Sequence, residues 1–261
     1  MIIMLDEIVE KTKERIETEK SIITLDDLKR EISLMEINDD FPFKKALQGD
    51  DISIIAEVKK ASPSKGIIAE DFDYVQIAKD YEEAGASAIS VLTEPYFFKG
   101  DDDYLREIAK SVSIPILRKD FVIDEYMIYQ AKYLGASAVL LIVAILDVVD
   151  LRKYLDLAHS LGLSAIVEVH DSTEIMKALA VGAEIIGVNN RDLTDFSVDI
   201  ENSIGLRRCV GEDVVFISES GIKTKEDVAR LKENNVDAVL IGETLMKSDD
   251  KKAMILELKN G

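Results

Sequence analysis

Apolar runs and polar breaks alternate along this chain with a regularity that predicts its elements. Ala84-Gly85-Ala86-Ser87-Ala88-Ile89-Ser90-Val91-Leu92 recurs as Leu134-Gly135-Ala136-Ser137-Ala138-Val139-Leu140-Leu141-Ile142. The shape returns as Val181-Gly182-Ala183-Glu184-Ile185-Ile186-Gly187-Val188-Asn189, and again as Asn234-Asn235-Val236-Asp237-Ala238-Val239-Leu240-Ile241-Gly242. In each copy a Gly or Asn ends a helix and a short β-branched run follows, as suits a parallel strand buried on both faces. Further strands are expected over 53–59, 114–118, 164–169 and 214–218. Apolar residues at three- and four-residue spacing predict helices between them, over 74–83, 103–111, 125–134, 148–161, 172–181, 200–210 and 225–234. About eight strands alternating with helices make an α/β chain, a (β/α)8 TIM barrel. An open doubly wound sheet is the alternative, weakened because no Gly-x-Gly-x-x-Gly follows any strand.

The barrel begins near residue 52. Residues 1–50 are expected to form a helical N-terminal extension packed on it, with helices over 5–19 and 25–35. Thr24, with Asp27 three residues on, has the pattern of an N-cap with an acidic first turn. The 261 residues, 47% of them hydrophobic, suffice for one such domain over 1–261.

A net charge of −19 argues against nucleic acid as a partner, although a local Lys/Arg cluster can hold a small anion inside an acidic protein. Cys209 is the only cysteine, which excludes an intrachain disulfide and suits a reducing cytoplasm. The apolar start, followed at once by Asp6 and Glu7, does not read as a signal segment, and no run reaches membrane-spanning length.

Barrel chemistry gathers where the strands end. Those ends carry Glu57 and Lys59, Thr93 and Glu94, Lys119, Glu168 and His170, Asn189 and Arg191, Glu219 and Ser220, then Gly242. Glu57 and Lys59 share a parity and point to one side of their strand. This mixture of lysines, carboxylates and an amide suits acid–base work, with each group shifting its neighbours' pKa values. The two histidines, His159 and His170, are not at metal-ligand spacing, so no metal site is expected. A phosphate site is expected where Ser220, Gly221 and Gly242 offer backbone N–H groups and Ser62 offers a hydroxyl, with the Glu243 carboxylate turned away. Plainer readings apply to several positions. Lys60 and Arg118 have outward parity, His159 on its helix is a surface or packing residue and His170 a rim residue. Arg191 could form an ordinary loop ion pair with Asp192, and Phe97-Phe98 could be rim packing or a platform for an aromatic ring.

Together these positions resemble the indole-3-glycerol-phosphate synthase family over essentially the whole chain. The matching motifs are Ile55-Ala56-Glu57-Val58-Lys59 with Ser62-Pro63-Ser64 and Gly66, Ser90-Val91-Leu92-Thr93-Glu94 with Phe98, and Pro115-Ile116-Leu117-Arg118-Lys119-Asp120-Phe121. Glu168-Val169-His170, Gly187-Val188-Asn189-Asn190-Arg191-Asp192-Leu193, Ser218-Glu219-Ser220-Gly221-Ile222 and Leu240-Ile241-Gly242 follow in order. The resemblance implies ring closure of 1-(2-carboxyphenylamino)-1-deoxyribulose 5-phosphate with loss of CO2 and water, in tryptophan biosynthesis, without cofactor or metal. It implies Lys119 as general acid, Glu168 as stabiliser of the cationic intermediate, and Lys59 with Glu57 in dehydration. Asn189 and Glu219 would position reacting groups. Ser62, Ser220, Gly221 and Gly242 would hold phosphate, with Arg191 and Glu243 beside them, and Phe98 and Phe121 would flank the anthranilate ring. The expected partner is the phosphorylated substrate, without nucleic acid or membrane, for a monomer or homodimer. The loop over 61–71 is expected to move over substrate. A barrel isomerase of the same or the histidine pathway, or a catalytically silent binding barrel, is the competing reading.

Overall fold

A computed structural model describes residues 2–192 and 196–260; Leu193, the last letter of one motif above, lies outside them. Eight parallel strands among the described residues close into a barrel. They are β1 (Ser53–Val58), β2 (Ala88–Leu92), β3 (Ile116–Lys119), β4 (Ala138–Ile142), β5 (Ser164–Val169), β6 (Ile185–Asn189), β7 (Val215–Glu219) and β8 (Ala238–Ile241). Neighbours in sequence are neighbours in space, and β1 pairs with β8 through Ser53–Ala238 to Ala56–Ile241. The closed sheet is the barrel that the alternation predicts, not the open alternative.

The helices follow the predicted order: α1 (Ile2–Ile22), α2 (Leu25–Ser33), α3 (Pro42–Ala46), α4 (Tyr74–Glu83), α5 (Asp102–Ala109) and α6 (Glu125–Leu134). After these come α7 (Val148–Ser160), α8 (Ser172–Ala180), α9 (Glu201–Arg207), α10 (Lys225–Glu233), α11 (Glu243–Lys247) and α12 (Lys251–Lys259). The short helices α3 and α11 and the terminal α12 were not legible in the apolar spacing, because one to two turns carry too few positions to show a period. Two strands sit about one residue later than expected. Pro115 has no N–H for the ladder, so β3 starts at Ile116 and takes in Lys119; β7 likewise ends on Glu219.

Two apolar layers result. The outer one lies between sheet and helices, where Val91, Val139, Val167, Val188 and Val239 meet helix residues such as Leu105, Ile128, Leu155 and Leu231. The inner one fills the barrel with Ile55, Leu117, Leu140, Ile166, Ile217 and Leu240, and Phe43 and Leu47 from the α3 segment plug its lower end. Leu117 faces inward, so Lys119 two residues on does too, above that plug. Arg118 faces outward as its parity requires, but it is fully buried.

The N-terminal helices are fastened to the barrel by buried polar contacts. Thr24 caps α2 in a reciprocal capping box with Asp27, as the spacing predicts. Arg15 of α1 donates to both carboxylate oxygens of Asp120 at 3.0 Å. Asp120 also accepts from Thr93 Oγ1 at 2.6 Å and from the Phe121 N–H at 2.8 Å. Arg118 joins the same group, donating to Thr93 Oγ1, the Met127 carbonyl and Asp102. Asp120, the residue following Lys119, therefore ties α1 to the end of β3.

Candidate active site

The C-terminal mouth of the barrel opens into a cavity of about 720 Å³. Fourteen of the site residues expected from the sequence line it: Glu57, Lys59, Ser62, Phe98, Lys119, Phe121, Glu168, Asn189, Arg191, Glu219, Ser220, Gly221, Gly242 and Glu243. Its floor is ionic. Lys119 Nζ lies 2.8 Å from Glu168 Oε2 and 2.7 Å from Glu219 Oε2, and Lys59 Nζ lies 2.5 Å from Glu57 Oε1. Asn189 Nδ2 donates to Glu168 Oε1 at 3.4 Å, and the Arg191 N–H donates to Asn189 Oδ1.

Gly187 in β6 and Gly242, just past the end of β8, make room for this cluster. A Cβ on Gly187 would collide with Glu219 Oε1 and sit 2.9 Å from Ile166 Cγ2; one on Gly242 would collide with Glu57 Oε1 and crowd Lys59 Nζ. Gly187 stood in the sequence only as a letter of a repeat and a motif, because only the closed barrel shows which side chain leans over it. Gly187→Ala is expected to displace Glu219 and lower kcat on the order of 10²-fold, with a stability loss of about 1–3 kcal/mol. Steady-state kinetics and urea unfolding check this; a fully active variant would contradict the packing argument.

The charges set one another. Burial alone would depress the Lys119 ammonium, but Glu168, Glu219 and Glu57 outweigh it and hold its pKa above the ordinary lysine range. Burial would raise Glu168, but Lys119 and then His170 hold it below the usual carboxylate value. Glu219 goes the other way. Burial pushes it up, the pull of Lys119 opposes this, and the neighbouring Glu168 and Glu57 carboxylates help bring it to about 7. Two carboxylates around one ammonium thus divide into one firmly ionised group and one that titrates near neutrality.

The two ends of the cavity differ. At one, Ser62, Ser220, Gly221, Gly242 and Thr244 stand among Lys65, Arg191, Lys223 and Lys247. Ser220 and Gly221 both have left-handed backbone, with φ of 69° and 88°. The Glu243 carboxylate pairs with Lys247 at 2.7 Å and stands 3.9 Å from Lys65. At the other end Phe98 and Phe121 lie 6.0 Å apart, tilted by 39°, beside Met4, Leu5 and Ile8 of α1. The N-terminal helices were expected on the barrel, but not that α1 lines the cavity; its apolar positions suit any packing surface. Lys65, Lys223 and Lys247 were also missed, because exposed loop lysines are common.

Thr93 and Glu94, expected at the mouth, turn away from it. Thr93 bonds Asp120, and the Glu94 carboxylate accepts the N–H groups of Tyr96, Phe97 and Phe98, shaping the turn that presents Phe98. His159 packs edge-on against Phe41, 5.5 Å between centroids, far from the charged floor in role. His170 is no simple rim residue: it reaches in behind Glu168. Among the described residues no group of three or more His, Cys, Asp and Glu is arranged to hold a metal ion, and no helix is long and apolar enough to cross a membrane.

A closed parallel barrel, with an acid–base cluster at its C-terminal mouth between a cationic and an aromatic end, defines the class: a (β/α)8-barrel enzyme. Solved structures share the fold alone. They include 3-hexulose-6-phosphate synthase from Salmonella typhimurium (TM-score 0.66, 14% identity, 80% of this chain and 97% of that one). Thiamine phosphate pyrophosphorylase from Pyrococcus furiosus is another (TM-score 0.61, 16% identity, 80% and 94%). Sequence is more specific. The indole-3-glycerol phosphate synthase family model matches residues 5–258. Proteins of that name from Ruminiclostridium cellulolyticum (51% identical, 98% of each chain) and Thermoanaerobacter pseudethanolicus (53% identical, 95% of this chain and 94% of that one) are close relatives. The chain belongs to the indole-3-glycerol phosphate synthase family, a family of carboxy-lyases.

Proposed function

We propose that the protein closes the indole ring of 1-(2-carboxyphenylamino)-1-deoxyribulose 5-phosphate, releasing CO2 and water to leave indole-3-glycerol phosphate. The observation that carries this is Lys119, held between Glu168 and Glu219 on the floor of a cavity that is cationic at one end and aromatic at the other. The cavity volume lies in the range of small-molecule sites, roughly 300–1,000 Å³. The phosphate lies among Ser62, Ser220, Gly221 and Gly242, where Arg191 and the loop lysines offset its charge and Glu243 keeps its carboxylate on Lys247. The anthranilate ring lies between Phe98 and Phe121, under α1. These placements put the ribulose carbonyl over Lys119.

The raised pKa of Lys119 keeps it an ammonium, so it meets the carbonyl oxygen as a charged donor and supplies the proton as the ring carbon attacks. Ionised Glu168 stabilises the cation formed before CO2 leaves. Lys59, paired with Glu57, holds the substrate carboxylate and then assists loss of the hydroxyl. Asn189 orients Glu168, and Glu219 orients Lys119. Such a phosphorylated substrate and the single cysteine, Cys209, suit a reducing cytoplasm.

Glu219 gives the pH dependence. Its ionised form aims Lys119, so kcat rises with pH through about 7. Its stability effect has the opposite sign. The folded pKa lies above the ordinary value of 4.5, so the native state holds a proton that the unfolded chain releases, and stability falls between about 4.5 and about 7. Glu219→Gln is therefore expected to lose the near-neutral step and most of the activity, yet unfold at higher urea than wild type at alkaline pH. Retention of the step would assign it elsewhere. The reaction itself is tested by adding the substrate to the purified protein and following indole fluorescence; tight binding without fluorescence would sink the reading in favour of a silent barrel.

A further inference from the structure

The cluster on the cavity floor continues outward in one direction. His170 follows the last residue of β5, and Asp171 then caps α8. Its own N–H donates to Glu174 Oε2 at 2.7 Å, and its Nδ1 lies 3.2 Å from the same oxygen. The ring is thereby turned so that Nε2 points inward, 3.8 Å from Glu168 Oε1. That Nε2 is buried and has no hydrogen-bond partner. Asn202 Nδ2 holds the His170 carbonyl at 3.2 Å. The result is a continuous line, Glu174–His170–Glu168–Lys119–Glu219, running from partly exposed side chains to the barrel floor. A small rotation of the ring brings Nε2 into hydrogen-bond distance of Glu168. An unpaired buried imidazole nitrogen facing an ionised carboxylate is a costly arrangement to keep without a use.

The proposed reaction supplies the use, and the inference rests on that reaction. One carboxylate leaves as neutral CO2 and one hydroxyl leaves as water. A proton goes to the carbonyl oxygen, a second leaves with the hydroxyl, and one returns when the new ring loses its C–H proton. Each turnover therefore takes up one proton from solvent, and the donors that give it lie on a buried floor.

We propose that His170 is the relay that reloads the Lys119–Glu168 pair with that proton. In the charged ring, the Nε2–H passes its proton to Glu168 Oε1, breaking one N–H bond and forming one O–H bond. Glu168 passes it to neutral Lys119, restoring ammonium and carboxylate, and the neutral ring, which keeps its Nδ1–H on Glu174, is recharged at the vacated Nε2 by water that enters as product leaves. His170 touches no reacting atom in this scheme; it acts through Glu168. Its surroundings support the task. Burial lowers its pKa, but the bond to Glu174 and the charges of Glu168, Glu174 and Glu219 outweigh burial and raise it above the ordinary histidine value. These carboxylates come from α8, β5 and β7; Lys119 stands behind Glu168, and α9 contributes the neutral Asn202.

The test compares the first turnover with steady-state kcat for wild type, His170→Gln and Glu174→Gln. A first turnover starts from loaded enzyme, whereas later ones need reloading. For His170→Gln near pH 8.5 the first-turnover rate should stay within about twofold of wild type while steady-state kcat falls on the order of tenfold. The gap should close near pH 6, where hydronium and buffer acids reach Glu168 directly. Glu174→Gln keeps the ring but weakens its hold on the proton, so its alkaline decline should begin at lower pH than in wild type. Equal loss in both phases at every pH would assign His170 a merely structural part and overturn the relay, as would unchanged kinetics in both variants. Failure of wild type to form the indole product would instead count against the reaction, a separate outcome.

Discussion

Lys119→Met is expected to lower the single-turnover rate on the order of 10⁴-fold, while substrate affinity changes far less. Proton transfer by a positioned group is worth roughly 10²–10⁴-fold, and removing a preorganised charge beside a developing oxyanion adds roughly 10²–10³-fold. Methionine fills much of the same volume, so the loss reports the ammonium rather than a void. Electrostatics around the gap should change too. Glu168 and Glu219, each within 2.8 Å of Nζ, lose their shared cation. Two buried carboxylates cannot both stay ionised there, so the variant should hold its shared proton to higher pH than wild type does and unfold more readily as pH rises. Quenched-flow product analysis and urea unfolding at two pH values check both parts. Activity within tenfold of wild type would remove Lys119 from the chemistry.

The second large effect concerns the outer ionic group. Asp120→Ala should destabilise the protein by about 3–5 kcal/mol, the usual result of stripping one partner from a buried pair. Asp120 is fully buried and is the carboxylate that both Arg15 and Arg118 approach. Burial opposes its ionisation, but the two guanidiniums outweigh this and hold its pKa below the usual carboxylate range. Its stabilising contribution is accordingly present above the ordinary aspartate value and fades as pH falls through the folded one. Catalysis should suffer as well, because the Phe121 N–H loses its acceptor and the residue after Lys119 loses its anchor to α1. A double-mutant cycle with Arg15→Ala measures the coupling in urea. A total loss under about 1 kcal/mol would show that the group behaves like a solvated surface pair.

The barrel was legible because its four copied apolar runs begin at Gly or Asn breaks, and a parallel strand buried on both faces needs such a run. The ionic floor was legible for a related reason. Charged residues at the ends of the other expected strands, Lys119 and Glu168 above all, have no bland role in a strand that must be buried. What the sequence withheld depends on neighbours across the barrel. Gly187 matters because Glu219 leans over it, and their partnership comes from pairing β6 with β7. Asp120 looked like one letter of a motif, since nothing local shows that Arg15 lies against it. Met4, Leu5 and Ile8 reach the cavity only because α1 is fastened over the mouth. Thr93 and Glu94 misled because parity at a strand end lapses once the chain turns, and both carboxylate and hydroxyl were drawn into local bonds instead.

The central claim is that Lys119, between Glu168 and Glu219, drives ring closure and the loss of the carboxyl group. The most direct measurement gives substrate labelled in the carboxyl carbon to wild type and to Lys119→Met, each in excess over substrate, and follows labelled CO2 and indole product together. The account predicts that wild type releases one labelled CO2 for each indole formed, while the variant binds the substrate and returns it with the label in place. Labelled CO2 from the variant at a rate near wild type, or indole formation by wild type without matching CO2, would contradict it.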